Sequence, residues 1–221
     1  MVPSHSLENL VLEVLMGSDD LYRRKRELKE FKRRVGTRGK DRDLILIVCE
    51  GEKTEPYYFK GFRLTNVTVI GTGFNTQSLV EKAYDLKTQA IVDKRRYDQV
   101  WCVFDRDSFN PESYNNAFFL ADKYQMRVAY SNEAFEIWYL LHFNYYDAAL
   151  SREQYIDKLS YLLGHKYEKN SPSTYNEIYK YQDNAIQRAV QLRLRYSSPN
   201  PEKDNPSTTV HLLIQELKKW I

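Results

Sequence analysis

Acidic residues follow two of the most apolar segments of the chain. Glu50 comes directly after LILIVC (residues 44–49), and Asp105 and Asp107 follow QVWCVF (residues 99–104). Short apolar runs of this kind, bounded by glycine or charged residues, are typical of buried strands. In an open parallel sheet, the carboxyl ends of the strands form the edge where ligands bind. We therefore expect these three carboxylates to lie together at one edge of a sheet.

A divalent cation would explain why these acids are placed together. Carboxylates that converge repel one another unless a positive charge neutralises them. Mg²⁺ or Mn²⁺ is the expected ion, because both prefer hard oxygen ligands and complete their shells with water and phosphate. In an extended segment, Asp105 and Asp107 point to the same side. Such a site could hydrolyse phosphodiester bonds, with Glu50 as a metal ligand or as the general acid–base for the attacking water.

Two more acids follow the apolar segment RVAYS (residues 127–131). Glu136 lies between Phe135 and Ile137 in a strongly apolar helical pattern, and we interpret it as a further metal ligand or part of a second metal site. Glu133 is the weaker candidate, because an acid in the first turn of a helix is also favoured by the helix dipole. Asp107 has a similar alternative role, as the N-cap of the helix that begins near Pro111.

The segment IGTGFNTQSL (residues 70–79) is a candidate phosphate site. Two glycines at the end of a strand, followed by a helix N-cap, direct backbone N–H groups at the sheet edge. The pattern lacks the third glycine of a dinucleotide fingerprint, so a plain tight turn is an equal alternative. Two cations beside the acids are further candidates, with ordinary surface charge as their alternative. The candidate phosphate-contacting residues are Gly51, Lys53, Gly71, Gly73, Asn75, Thr76 and Arg106.

Positive charge is concentrated near the N-terminus. Residues 21–42 contain eleven Lys and Arg residues and three acids, whereas the net charge of the whole chain is +3. A dense basic segment of this kind attracts a phosphate backbone, and Arg33 and Arg34 lie in its middle. The alternative is a solvated helix face or a flexible basic arm. We interpret the segment as a nucleic-acid contact.

Composition favours a cytoplasmic protein without a membrane segment. No apolar run reaches the roughly 20 residues that a membrane helix needs, and the N-terminus lacks a signal-peptide pattern. The two cysteines, Cys49 and Cys102, lie inside apolar runs and are expected to be buried thiols.

Apolar periodicity predicts an α/β fold. Four strands, at residues 44–49, 67–70, 99–104 and 127–131, alternate with helices, which indicates a Rossmann-like parallel sheet of about four strands flanked by helices. After residue 146 the pattern is helical. One helix follows a capping box at Ser151 and ends at Gly164; one long helix is expected over residues 173–196, a loop follows, and a final helix ends the chain. The predicted organisation is a basic arm (1–42), an α/β core (43–146) and a C-terminal helical subdomain (147–221).

These motifs resemble those of the Toprim fold, found in type IA and type II topoisomerases, primases and several nucleases. That fold has Glu-Gly after one apolar strand and Asp-x-Asp after a later one, and here 55 residues separate Glu50 from Asp105. Over residues 43–215 the chain more closely resembles the RloB-like family. The stretches that carry this resemblance are LIVCEGEKTEPYYF, GTGFNTQSLVEKA, YDQVWCVFDRDSF, AYSNEAFEIWYLLHF and NPSTTVHLLIQEL.

The resemblance implies a metal-dependent Toprim-type nuclease that acts in antiphage defence beside type I restriction–modification systems. It further implies restriction–modification components or a defence-system ATPase as partners. Ser108-Phe109-Asn110 stand where topoisomerase-type members often have another acid and a glycine, so strand passage is not expected. Two alternatives stay open: a non-catalytic module that senses nucleic acid or nucleotide phosphates, and a nucleotidyl- or phosphotransferase. The sequence does not distinguish DNA from RNA, or a monomer from a homodimer.

Overall fold

A computed structural model of the protein describes residues 42–106 and 110–221. The predictions made for the basic segment, with Arg33 and Arg34, and for Asp107 lie outside these residues. Asp43–Ile221 forms one compact unit. None of the helices in the described ranges combines the length and the apolar character that a membrane crossing requires.

The described residues form a five-stranded, mostly parallel sheet, as the predicted α/β fold class requires, and the fold is consistent with a Toprim/Rossmann-like arrangement. The strand order is β2-β1-β3-β4-β5, in which β5 alone is antiparallel to its neighbour. The fifth strand was not expected: it consists of two residues inside the predicted loop. The strands are β1 (Ile45–Cys49), β2 (Val67–Gly71), β3 (Gln99–Asp105), β4 (Arg127–Asn132) and β5 (Ser207–Thr208).

Strand β1 lies inside the sheet, between β2 and β3, and every one of its side chains is buried. Successive side chains of a strand point to opposite faces, so β1 contributes to two cores. Ile45 and Ile47 belong to a first core on one face, whereas Leu46 and Val48 belong to a second core on the other. A strand covered on both faces needs a continuous apolar run, which is the pattern seen in the sequence.

Helices cover both faces of the sheet. The second core includes side chains of α2 and α3, and the first core includes side chains of α1, α4, α5, α7 and α8. The C-terminal helices therefore share the first core with the sheet. The helices are α1 (Thr54–Lys60), α2 (Thr76–Val92), α3 (Pro111–Lys123), α4 (Glu136–Phe143), α5 (Arg152–Leu163), α6 (Thr174–Ile178), α7 (Gln182–Leu194) and α8 (Val210–Lys218).

The long helix expected over residues 173–196 is interrupted. A 3₁₀ turn at Tyr179–Tyr181 separates α6 from α7. Ile178 and Gln182, on either side of the turn, are both buried, and the Gln182 amide donates a hydrogen bond to the Tyr58 hydroxyl over 3.1 Å. Packing against α1 therefore overrides the local helical pattern. By contrast, the capping box of α5 is present as predicted, and Gly164 ends this helix with a φ of 77°.

Candidate functional site

A cleft of about 330 Å³ lies at the carboxyl ends of β1 and β3. These strands are parallel neighbours, but β1 leads into α1 on the face of the first core and β3 leads to α3 on the face of the second core. The two connections diverge, and a crevice at such a reversal of strand order is where open α/β sheets bind ligands. The acids that line the cleft are Glu50, Glu52, Glu55, Asp105 and Glu136, and its cations are Lys53, Arg152 and Lys169.

Glu50 and Asp105 are joined by the sheet itself. The N–H of Glu50 continues the ladder by donating to the Val103 carbonyl over 2.9 Å. In return, Oε2 of Glu50 accepts a hydrogen bond from the backbone N–H of Asp105 over 3.1 Å. Backbone hydrogen bonds at the carboxyl ends of β1 and β3 thus fix the Glu50 carboxylate beside Asp105. The structure therefore brings these two predicted site residues together.

Glu55 was not predicted as a site residue, yet its carboxylate lies inside the cleft with only 6% of the residue exposed. It accepts hydrogen bonds from the backbone N–H groups of Glu55 and Gly51. The carboxylate occupies the space in front of Gly51: a β-carbon at that position would lie 2.1 Å from a Glu55 carboxylate oxygen. A glycine is therefore needed at position 51, after the carboxyl end of β1, because any larger residue would overlap the Glu55 carboxylate.

The acids of the cleft influence one another. Burial, and then the charges of Glu55, Glu136 and Glu50, raise the pKa of Asp105 well above its usual value, although Arg152 partly offsets this. The pKa of Glu55 is also raised, first by burial and then by the charge of Glu136, against the lowering effect of its backbone hydrogen bonds and of Lys169. Carboxylates that disfavour each other's ionised form are typical of functional sites. The free-energy cost of ionising them is tolerated there because the charge takes part in binding or catalysis.

The C-terminal part of the chain supplies the other side of the cleft. Nη2 of Arg152, the first residue of α5, lies 3.8 Å from Oδ2 of Asp105. The Tyr167 hydroxyl donates to Oε1 of Glu136 over 3.3 Å, and Glu136 is only 4% exposed. The Thr54 hydroxyl donates to Oδ1 of Asn170 over 2.9 Å. The cleft is therefore assembled from residues on both sides of the predicted boundary at residue 146.

The oxygen donors of the cleft fit a hard divalent cation in their chemistry. Within residues 42–106 and 110–221, no three His, Cys, Asp or Glu side chains are grouped closely enough to hold a metal ion by themselves. Mg²⁺ needs only one or two protein carboxylates and takes its other ligands from water and phosphate. Glu50 and Asp105 are the pair best placed for such a role. Asp107, the third predicted ligand, lies outside the described residues.

The glycine-containing turn packs against the acidic turn. The N–H groups of Thr72 and Gly73 donate to the carbonyls of Cys49 and Glu50, over 3.0 and 2.9 Å. A β-carbon on Gly71 would lie 2.6 Å from the Gly51 carbonyl oxygen, so Gly71 permits close backbone contact. Two of the N–H groups expected to face a phosphate are therefore used within the protein, and phosphate binding by this turn stays a prediction.

The other candidates around the turns occupy different positions. Asn75 is the N-cap of α2, accepting from the N–H of Ser78 over 3.1 Å, and Thr76 is buried behind it with 1% exposure. Lys53 is exposed and lines the cleft. Arg106 is directed elsewhere: its guanidinium lies 4.0 Å from Glu202 and 5.2 Å from the centre of the Tyr114 ring.

The structure separates the two acids that follow β4. Glu136 lines the cleft, whereas Glu133 does not. Glu136 begins α4 between residues of the first core, so its side chain is held at the inner wall of the cleft. Its placement among apolar residues was the sequence signal that distinguished it from Glu133.

Sequence reasoning missed Glu55, Arg152, Tyr167 and Lys169. Glu55 has the position of an ordinary first-turn acid, and the adjacent Glu-Gly was the only signal that its side chain could turn back toward the strand. The other three follow Asp105 by 47 or more residues. Arg152 and Lys169 reach the cleft, and Tyr167 reaches Glu136, through tertiary packing that nothing in their local pattern indicates.

Comparison with known proteins identifies a family for this architecture. A family model described as RloB-like protein matches residues 45–217, which include all five strands and every described residue of the cleft. No curated protein matches the chain, and no solved structure matches it. The match covers well over half of the sequence and agrees with the resemblance carried by its motifs, and the chain belongs to the RloB-like family.

Proposed function

We propose that the protein is a divalent-metal-dependent nuclease that hydrolyses phosphodiester bonds in DNA or RNA, tRNA included. One observation carries this proposal: Glu50, Glu55, Asp105 and Glu136 converge in one cleft at the carboxyl edge of the sheet. A cluster of buried and half-buried acids has little use for binding a polyanion unless a metal ion lies between the acids and the polyanion.

Glu50 and Asp105 would hold a Mg²⁺ or Mn²⁺ ion, with Asp107 and Glu136 as the further ligands suggested by the sequence. When bound, the ion would stabilise charge on the scissile phosphate and activate the attacking water. The raised pKa of Glu55 suits a side chain that accepts a proton from that water, because efficient general bases have a pKa close to the working pH. Tyr167 would orient Glu136 through its 3.3 Å hydrogen bond.

A role in antiphage defence beside restriction–modification systems is part of the same proposal. It is supported by family membership and by the resemblance of the acidic motifs to Toprim nucleases. The partners proposed with it are restriction–modification components or a defence-system ATPase.

The test is cleavage of plasmid DNA, single-stranded DNA and total tRNA in parallel, with Mg²⁺, Mn²⁺ or a chelator. Glu50→Gln and Asp105→Asn should abolish cleavage. Glu133→Gln is the matched control, because this acid follows the same strand as Glu136 but does not line the cleft. Asp105→Asn should melt no lower than wild type, since it removes one of several like charges. Cleavage that persists in the chelator or in both cleft variants would contradict the proposal.

One observation favours a second candidate, a non-catalytic module that senses nucleic acid or nucleotide phosphates. Three cations, Lys53, Arg152 and Lys169, line the cleft beside the acids and could bind a phosphate group without catalysis. Under this alternative, the cleft would bind a metal–phosphate ligand without catalysing a reaction. Calorimetry with Mg²⁺ and a nucleoside triphosphate would then show binding that Asp105→Asn removes, while all three nucleic acids stay intact.

A further inference from the structure

The cleft has more negative than positive side chains. Five acids and three cations line it, so a phosphate entering it meets net repulsion unless cations lie where the phosphate binds. Lys53 precedes α1 and is exposed, whereas Arg152 and Lys169 both come from the C-terminal part of the chain. Contacts made by their neighbouring residues fix the positions of the latter two.

Arg152 is fixed by the start of α5. Ser151 and Gln154 form a reciprocal capping box, in which the Ser151 hydroxyl accepts from the N–H of Gln154 and the Gln154 side chain accepts from the N–H of Ser151. This cap sets the first turn of the helix, and Arg152 is its first residue. The guanidinium reaches Asp105 over 3.8 Å while 38% of the side chain stays exposed. It therefore lies near Asp105 and is partly exposed to solvent.

Lys169 is held by the residues on either side of it. Tyr167 is buried, its N–H donates to the Ser160 hydroxyl over 2.9 Å, and its own hydroxyl donates to Glu136. Asn170 accepts the hydrogen bond from Thr54. Lys169 lies between these two anchored residues and lines the cleft, where its charge lowers the pKa of the Glu55 carboxyl.

We propose that Arg152 and Lys169 are the side chains that bind the phosphodiester backbone of the nucleic acid in the cleft. Arg152 lies beside Asp105, and Lys169 lines the same cleft as Glu55, so both cations are placed among the acids. A planar guanidinium suits the two oxygens of a phosphate, and an ammonium group suits a point contact with the same group or a neighbouring one. This inference rests on the proposed function and adds the residues by which that site would hold its substrate.

A purely structural role for these cations makes a different prediction. If Arg152 only neutralised Asp105, its loss would change stability but would not remove a phosphate contact. Each phosphate contact releases counterions on binding and so contributes to the slope of affinity against salt concentration. The salt dependence therefore distinguishes the two roles.

The experiment measures binding of labelled single-stranded DNA and of labelled tRNA by fluorescence anisotropy from 50 to 300 mM KCl, with CaCl₂ present. The variants are Arg152→Gln, Lys169→Gln and Arg152→Lys. Two controls match them: Arg195→Gln removes an arginine of similar exposure that pairs with Asp147 over 3.6 Å, and Lys166→Gln removes an exposed lysine of the same loop as Lys169. Neither Arg195 nor Lys166 lines the cleft.

Arg152→Gln and Lys169→Gln should each reduce the slope of log K against log salt by about 0.7 to 1, which corresponds to about tenfold weaker binding at low salt. Arg152→Lys should keep the slope, and both controls should match wild type. Comparing the two nucleic acids shows whether the contacts serve DNA, RNA or both. Slopes equal to wild type in both cleft variants, equal losses in the controls, or no binding of either nucleic acid by wild type would overturn the inference.

The outcomes also separate this inference from the proposed function. If the slopes fall but no nucleic acid is cleaved with Mg²⁺ or Mn²⁺, the phosphate contacts stand and the nuclease proposal fails. If cleavage depends on Glu50 and Asp105 but the slopes do not change, the nuclease proposal stands and this inference fails.

Discussion

Gly51 shows how a single residue sets the geometry of the cleft. Its lack of a side chain leaves the space that the Glu55 carboxylate fills, and its N–H donates to that carboxylate. The Glu-Gly pair at the end of β1 therefore has two separate roles. Glu50 supplies a carboxylate to the cleft directly, and Gly51 allows a second carboxylate to reach it.

We expect Gly51→Ala to destabilise the protein by about 1–3 kcal/mol, because the new methyl group would overlap the Glu55 carboxylate and force it to move. Chemical denaturation measures this change. In the Glu55→Ala background the same substitution should cost much less, since the atoms that it overlaps are gone. Equal costs in the two backgrounds would show that Glu55 does not occupy this space.

Two buried histidines give the stability of the protein a pH dependence. Burial lowers the pKa of His142, and of His211, to about 4. In the unfolded chain a histidine has a pKa of about 6.5. Between these values the unfolded chain binds protons that the folded protein does not, so these residues reduce stability as the pH falls from about 6.5 toward 4.

Replacing one histidine isolates its share of this dependence. His142→Gln keeps a polar side chain at the position but removes the titration. We expect the free energy of unfolding to fall less steeply between pH 7 and pH 4.5 in this variant than in wild type. His165→Gln is the control, because His165 is exposed and its pKa is raised by the hydrogen bond that its Nε2 donates to the Glu177 carboxylate. Parallel pH profiles for wild type and His142→Gln would contradict the expectation.

At the level of elements, the short strand β5 joins the C-terminal segment to the sheet. The Thr208 hydroxyl donates to the Tyr130 carbonyl over 3.0 Å, lies 3.1 Å from the Ser131 hydroxyl, and accepts from the N–H of Val210 over 3.2 Å. Thr208 is fully buried. These contacts hold the start of α8 against β4, so one hydroxyl connects three elements.

We expect Thr208→Val to destabilise the protein by about 1–3 kcal/mol, because valine has nearly the same shape but leaves buried polar partners unsatisfied. Thermal or urea denaturation measures the loss. Thr88→Val is the matched control, since the Thr88 hydroxyl bonds only to the carbonyl four residues earlier on the exposed face of α2. A loss at position 208 no larger than at position 88 would show that the hydroxyl network contributes little.

The helices and strands that could be predicted from the sequence are those whose own residues carry the signal for the element. Strands β1, β3 and β4 are apolar runs that become largely buried, β2 is a half-buried apolar run, and α5 carries its own start and stop signals in Ser151 and Gly164. Strand β5 could not be predicted, because two residues carry no periodicity and they pair with Ser131 and Asn132 of the distant strand β4. The 3₁₀ turn before α7 depends in the same way on the distant Tyr58.

The same difference applies to the candidate site. Glu50, Asp105 and Glu136 could be proposed because strand ends and apolar context place them, and the structure puts all three in the cleft. Arg152, Tyr167 and Lys169 could not, since only the packing of the C-terminal segment against α1 and α4 brings them there. Glu55 is an intermediate case. Its place soon after the Glu-Gly pair can be read from the sequence, but the sequence does not show that its side chain turns back into the cleft.

At the scale of the whole molecule, charge is unevenly divided. The cleft is mainly acidic, whereas residues 21–42 carry a net charge of +8. A polyanion attracted by the basic segment would still need local cations or a metal ion to enter the cleft. Affinity and cleavage should therefore respond to different substitutions.

Removing residues 1–42 should weaken binding of single-stranded DNA and tRNA and reduce the salt slope by several units, because eleven Lys and Arg residues are lost. Removing only residues 2–20 is the control, since that segment contains no Lys or Arg. Both variants should melt close to wild type, because Asp43–Ile221 is a compact unit. Unchanged binding after the longer deletion would mean that the basic segment is a solvated surface.

The order in which the cleft residues occur along the chain has a consequence for biosynthesis. Glu50 and Asp105 leave the ribosome well before Lys169 and Asn170, and β5 follows later still. A nascent chain therefore carries the acids without the cations opposite them, and a message truncated before codon 170 encodes no complete cleft. Translation itself thus delays assembly of the site until most of the polypeptide has been made.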